Sequence, residues 1–193
     1  MTSESIDLSA LRERDAAAFR QLVDQYSPRI YNLALKMLGN PDAAEDILQE
    51  TFISAYRAID RFEGRAHIST WLYRIAHNAV LMRLRKEKHT PHLQSLEVDL
   101  DLDVLAAPSY REGAPERRLL ESELRDKMDE ALASLTDALR EVFILRDIDG
   151  LSTAETAEVL DLSETAVKSR LHRARLALRQ QLAPYLQDLQ MER

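Results

Sequence analysis

Apolar side chains recur at steps of three and four along nearly the whole of this 193-residue chain. That is the period of one face of an α-helix, not of a strand. The one strictly alternating stretch, EVDLDLDV, has no second strand to pair with. Only four glycines are present and hairpin dipeptides are scarce, so tight β-turns have little to be built from. The expected fold class is all-α, with helices packing on one another in two small domains.

The punctuation divides the first half into a bundle. DAAAFRQLVDQY and PRIYNLALKML read as two helices, the second opened by Pro28. Gly39 closes it, Asn40 caps the next helix and Pro41 takes the first helical position, where a missing N–H costs nothing. That helix is expected over about residues 41–59. A loop, RFEGRAHIS, and a helix over about residues 69–88 complete the unit. Residues 91–115 then carry prolines, a glycine and the acids Glu97, Asp99, Asp101 and Asp103, as a solvated linker would. The expected organisation is a domain over residues 1–90, a flexible acidic linker over 91–115 and a second domain over 116–193.

In the second domain, helices are expected over residues 115–134 and 136–148, followed by two more separated by DLS. Ser152 and Glu155 have the spacing of a capping box, and Ser163 caps the last helix. A short helix, a tight turn and a longer helix over residues 153–172 are the spacing of a helix-turn-helix. On the last helix Val167, Leu171, Ala174 and Leu178 share one side. Thr165, Lys168, Ser169, His172 and Arg173 lie opposite, with Arg170, Arg175 and Arg179 on the flanks. Polar side chains toward base edges with arginines beside them suit a major groove.

Net charge runs against that reading: 33 acids oppose 26 bases, leaving −7. The excess is local, however. Residues 1–90 hold 13 bases and 12 acids, residues 91–135 hold 5 and 11, and residues 136–193 hold 8 and 10. Beyond a Debye length of ~10 Å the acidic middle is screened from the basic helix.

Two further faces stand out. In STWLYRIAHNAVLMRLRKEK a core stripe of Leu72, Ile75, Ala79 and Met82 is expected. Trp71, Arg74, Asn78 and Arg85 lie within about 60° of one another on a different side. A ring, an amide and cations together suit unpaired bases, although a lone tryptophan also serves as a core anchor. In DILQETFISAYRAI, Leu48, Phe52, Ala55 and Ile59 are expected inside and Asp46, Gln49, Glu50, Ile53 and Arg57 outside. Spacing alone does not decide between a partner-helix surface and an ordinary solvated face there.

Enzymatic chemistry finds no footing. Cysteine is absent, and of five histidines only His89 and His92 are close, with no carboxylate at ligand spacing. No glycine-rich phosphate loop or activated nucleophile is recognisable, so no cofactor, metal or catalytic activity is expected. No apolar run reaches the ~20 residues of a membrane span, and the start, MTSESIDLSALRERD, is unlike a signal peptide, so a cytoplasmic protein without membrane insertion is expected.

DILQETF, TWLYRIA and VKSRLHRAR, in this order, resemble the extracytoplasmic-function (ECF) sigma factors of bacterial RNA polymerase. The likeness spans the chain except for the linker and the extreme termini. It implies a sigma region-two domain followed by a region-four domain, and a role in promoter-specific transcription initiation. It further implies that Asp46, Gln49, Glu50, Ile53 and Arg57 meet the clamp helices of the largest subunit of core RNA polymerase. Arg65, His67, Ser69, Trp71, Arg74, Asn78 and Arg85 would melt and capture the −10 element of promoter DNA. Arg146, Thr165, Lys168, Ser169, His172 and Arg173 would face the −35 element. The family also implies control by a separate anti-sigma factor.

Overall fold

The computed structural model describes residues 6–89 and 115–191. The expected linker, with His92 and the EVDLDLDV stretch, lies outside the described residues except for Pro115, which opens a helix. Among the described residues the secondary structure is entirely helical. Helices α1 (Leu8–Arg12), α2 (Ala16–Leu38), α3 (Pro41–Ala58) and α4 (Ile68–His89) form the first domain. Helices α5 (Pro115–Ser134), α6 (Asp137–Phe143), α7 (Thr153–Leu160) and α8 (Glu164–Met191) form the second. A 3₁₀ turn over Ile59–Arg61 ends α3, and a π-turn over Ile144–Ile148 extends α6.

Helix ends follow local chemistry. Gly39 takes the left-handed conformation (φ 65°) that closes α2, and the Asn40 side chain accepts from the Ala43 amide at 2.9 Å. Asp15 caps α2 by accepting from the amides of Ala17 and Ala18. Asp7 caps α1, a short helix that the periodicity did not reveal because five residues are too few to show it. Contrary to expectation, Pro28 does not begin a helix: α2 runs through it unbroken from residue 16 to residue 38. Pro28 and Asp24 are both on the solvent side, so the bond the proline cannot make is lost where water can replace it. The opposite side buries Leu22, Tyr26, Ile30 and Leu33.

In the second domain the Ser152 hydroxyl accepts from the Glu155 amide (3.1 Å) while the Glu155 carboxylate accepts from the Ser152 amide (2.7 Å). These contacts hold the Glu155 carboxyl below the usual carboxylate range, its bonds to Ser152 being the main cause. A carboxyl depressed on folding stabilises above its ordinary pKa, and the gain is lost as pH falls through the folded value. Ser152→Ala is therefore expected to cost about 1 kcal/mol at neutral pH. The deficit relative to the parent should shrink in acid, as read by thermal melts across pH 3–7.

The two domains pack together. One continuous core joins Leu22, Ile30, Leu33, Phe52, Leu72, Tyr73 and Val80 of the first domain to Ile144, Leu145, Leu151 and Val159 of the second. Lys36 of α2 meets Asp129 of α5 at 3.3 Å, and Arg140 of α6 donates to the Met37 carbonyl at 3.3 Å. Two smaller clusters, around Leu132, Ala174 and Leu178 and around Val142, Val167 and Leu171, seat α8 on α5, α6 and α7.

Candidate nucleic-acid interface

The helix-turn-helix is α7, a turn and the start of α8. Asp161 closes α7 in the left-handed region (φ 53°), and the Ser163 hydroxyl accepts from the Ala166 amide at 3.2 Å. Val167, Leu171, Ala174 and Leu178 are buried, which turns the opposite side of α8 outward. Thr165, Lys168, Ser169, His172 and Arg173 are all exposed there. The flanking arginines are used in different ways. Arg175 makes a two-pronged pair with Asp147, both contacts at 2.7 Å, and Arg170 turns inward to Glu141 at 3.2 Å. Arg179 is exposed.

Arg146 is placed differently from the other five. It is half-buried, and its guanidinium donates to the backbone carbonyl of Leu151 in the turn before α7. The six-residue span from Arg146 to Leu151 lets the side chain fold back on the turn that follows its own helix. No helical-wheel argument could have located it.

On α4 the buried arc is Thr70, Leu72, Tyr73, Ala76, His77, Ala79 and Val80, spanning about 180°. Ile75 and Met82 sit at or beyond its edge, so the expected core stripe is corrected: Ile75 is only partly buried and Met82 is 66% exposed. The expected stripe missed the half of the face that carries Tyr73 and His77. His77 meets Glu141 of the second domain, and Tyr73 lies near Asp149 of the second domain as well as Tyr26 and Arg29 of α2. Trp71, Arg74, Asn78 and Arg85 stay together on the far side. Trp71 is half-buried against the Phe62 ring (centroids 5.0 Å apart), and the other three are exposed. In the preceding loop Arg65 and His67 are exposed and Ser69 is half-buried. Arg65 pairs with Glu63 at 2.6 Å in full contact with solvent, a pair of little energetic weight.

Asp46, Gln49, Glu50, Ile53 and Arg57 are all exposed along α3. Sequence reading missed Tyr56, which is 41% exposed beside Ile53 at 50%. The Tyr56 ring stands edge-on to Phe19 (5.0 Å), with the Arg14 guanidinium over it at 5.5 Å. The three-residue step from Ile53 was the signal that could have found it. Asp46 is also held by Arg83 of α4 at 3.4 Å.

Between the domains, the His77 Nε2 lies 2.9 Å from one oxygen of Glu141, whose other oxygen is the partner of Arg170. Nearby, burial raises the Asp149 carboxyl to about 6, although the Tyr73 hydroxyl and the cations of Arg29 and Lys36 oppose the shift. Burial likewise drives the Tyr73 hydroxyl well above its ordinary range, with Asp149 adding to it. The two side chains face each other without completing a hydrogen bond of ordinary geometry.

Among the described residues no three His, Cys, Asp or Glu side chains are grouped to hold a metal, and no helix is long and apolar enough to cross a membrane.

These two units match known families. Residues 22–90 match Sigma-70 region 2 and residues 125–178 match Sigma-70 region 4. The chain is 39% identical over 176 residues to the ECF RNA polymerase sigma factor SigW of Bacillus subtilis, covering 91% of this chain and 94% of that one. It is 32% identical over 191 residues to the ECF RNA polymerase sigma-E factor of Escherichia coli K12, covering 95% and 96%. Among solved structures, CnrH in complex with the cytosolic domain of CnrY superposes with a TM-score of 0.66 at 26% identity, covering 92% of this chain and 95% of CnrH. RpoE of Bartonella quintana, in complex with the anti-sigma factor NepR, shares the fold with a TM-score of 0.65 at 23% identity, covering 86% and 96%.

The arrangement is that of a two-domain sigma-70-type initiation factor, which acts in transcription without being an enzyme. The chain belongs to the ECF sigma factors of RNA polymerase.

Proposed function

We propose that the three surfaces divide promoter recognition among them once the chain is bound to core polymerase. The exposed side of α3 docks on the clamp helices of the largest subunit, with Asp46, Gln49, Glu50, Ile53 and Arg57 as the contact and Tyr56 extending it. Arg65, His67, Ser69, Trp71, Arg74, Asn78 and Arg85 take up the −10 element as single-stranded DNA: rings stack on bases, the amide reads a base edge and the cations hold phosphate. Thr165, Lys168, Ser169, His172 and Arg173 read the −35 element in the major groove, while Arg146 supports the turn from which α7 starts. A separate anti-sigma protein holds the chain inactive, a reading supported by the likeness to CnrH, solved with the cytosolic domain of CnrY.

The observation that carries this reading is the two-sided character of α8. Four apolar residues are buried on one side, and five polar or basic ones stand exposed on the other, directly after a capped helix and a left-handed turn. Arg173 leaves from the exposed side, whereas Arg179 lies nearly two turns further on. A bidentate arginine–guanine contact contributes roughly 1–3 kcal/mol of discrimination. Arg173→Ala is expected to flatten preference at one −35 position. Arg179→Ala should weaken binding about equally for all sequences and lower the salt slope by about one unit at most. Binding of reconstituted holoenzyme to single-base −35 variants at two salt concentrations checks both. Full preference retained by the Arg173 variant would show that a different side of α8 faces the groove.

A further inference from the structure

We infer that α1, which lies ahead of the residues matching region 2, braces the loop that takes up the −10 strand, with Arg12 as its positioning residue. The inference rests on the −10 role proposed above for that loop and for Trp71.

The Arg12 Nε donates to the carbonyl of Phe62 at 3.0 Å, 50 residues along the chain. Phe62 is where the backbone leaves the 3₁₀ turn over Ile59–Arg61 and enters the loop. Gly64, two residues on, bends the loop in the left-handed region (φ 77°). A Cβ placed on Gly64 would lie 3.4 Å from the Arg12 Nη2, so the same guanidinium also stands against the middle of the loop. The Phe62 ring, in turn, is the one that lies against Trp71. A single residue thus carries the hold of α1 on one side and the ring of the proposed base-stacking side chain on the other.

A five-residue helix does not persist in water by itself. Leu11 is fully buried in the same core as Ile59 and Phe62, and Asp7 caps the first turn. Arg14 adopts a positive φ of 60°, uncommon for a residue other than glycine, and from there meets Asp60 at 3.8 Å and covers Tyr56. The contacts of both arginines therefore run to residues 56–64, the segment that leads into the loop. Within the loop, Arg65 and Glu63 pair in full contact with solvent and restrain it little. A loop that captures an unpaired strand gains from being ordered beforehand, because ordering it during binding subtracts from affinity.

Trp71 is the only tryptophan in the chain, so acrylamide quenching of its fluorescence in the free full-length protein reads its packing without DNA. Arg12→Met and Arg12→Gln both keep a side chain that reaches the position of Nε, and both remove the charge. Only glutamine offers an N–H there. Arg12→Met should raise quenching above the parent. In reconstituted holoenzyme it should lower permanganate-detected opening of a duplex promoter by roughly 2- to 13-fold, the worth of one hydrogen bond. Co-purification with core polymerase should not change. Arg12→Gln should restore both readouts toward the parent. Equal effects of the two variants overturn the brace, since the charge would then be the cause, and so does the absence of any effect. Raised quenching with parental opening overturns it too. Trp71→Ala, run beside them, separates these failures from failure of the −10 reading. Impaired opening there leaves that reading standing, and parental opening removes the reading and the brace with it. If Arg12→Met loses its helical far-UV signal, Arg12→Ala is read in its place against the same outcomes.

Discussion

Replacing Gln49 and Ile53 together with lysine is expected to abolish co-purification of this chain with core RNA polymerase. Both side chains are exposed on α3, whose inward residues Thr51, Phe52 and Ala55 are buried and untouched by the change. The helical far-UV signal should therefore be preserved. An uncompensated charge buried in an interface costs about 3–5 kcal/mol, or roughly 150- to 5,000-fold in Kd for each site that is fully desolvated. Ile53 has no hydrogen-bonding group, so its contact can only be apolar burial, and a lysine there reverses the sign of that contribution. Tyr56→Ala should weaken binding less, because its ring is already partly held by Phe19 and Arg14. Retained polymerase binding by the double-lysine variant would mean that α3 presents an ordinary solvated face.

Asn78→Ala is expected to leave polymerase binding intact and to impair strand opening. Asn78 is exposed on α4 between Arg74 and Arg85, on the side away from the buried arc, so the substitution removes no core contact. Alanine also favours the helix slightly. What is lost is an amide able to pair with a base edge, worth ~1–3 kcal/mol, a factor of about 5 to 150 in opening. Permanganate reactivity of unpaired thymines in the −10 region reads this directly. A premelted template should restore an open −10 region, because the cost of melting is already met, while the lost amide contact still weakens binding. Unchanged opening on a duplex template would reduce Asn78 to a solvated surface residue.

Local signals made most of the helices legible in sequence. The cap at Asn40, the stop at Gly39 and the capping box at Ser152 and Glu155 are short-range chemistry, and each has its expected bonds. The two sides of α8 are legible for the same reason, since the residues that pack inward follow the helical period. The departures arose where distant chain segments decide. Proline favours the first position of a helix, which points to a helix start at Pro28, yet a proline on the solvent side of a long helix loses one bond to water and little else. On α4 the apolar spacing points to a stripe that includes Met82, because Tyr73 and His77 are not obvious core residues. The carboxyls of Asp149 and Glu141, from the second domain, lie beside them, and nothing within α4 announces it. Arg146 likewise answers to a carbonyl five residues away that only the folded turn brings near. The polar contact at Glu141 joins residues 77, 141 and 170, separations that no motif spans.

Held by core polymerase, this chain is expected to open and read a promoter through both domains at once. Run-off transcription by core polymerase on genomic fragments, with the chain present or omitted, checks this. Discrete transcripts are predicted only when the chain is present. Substitutions in either upstream element should then reduce them, the −35 effect disappearing with Arg173→Ala and the −10 effect tracking permanganate reactivity. Transcripts independent of the chain, or sequence-specific duplex binding by the free chain with no effect on polymerase, would instead identify a regulator that works without polymerase.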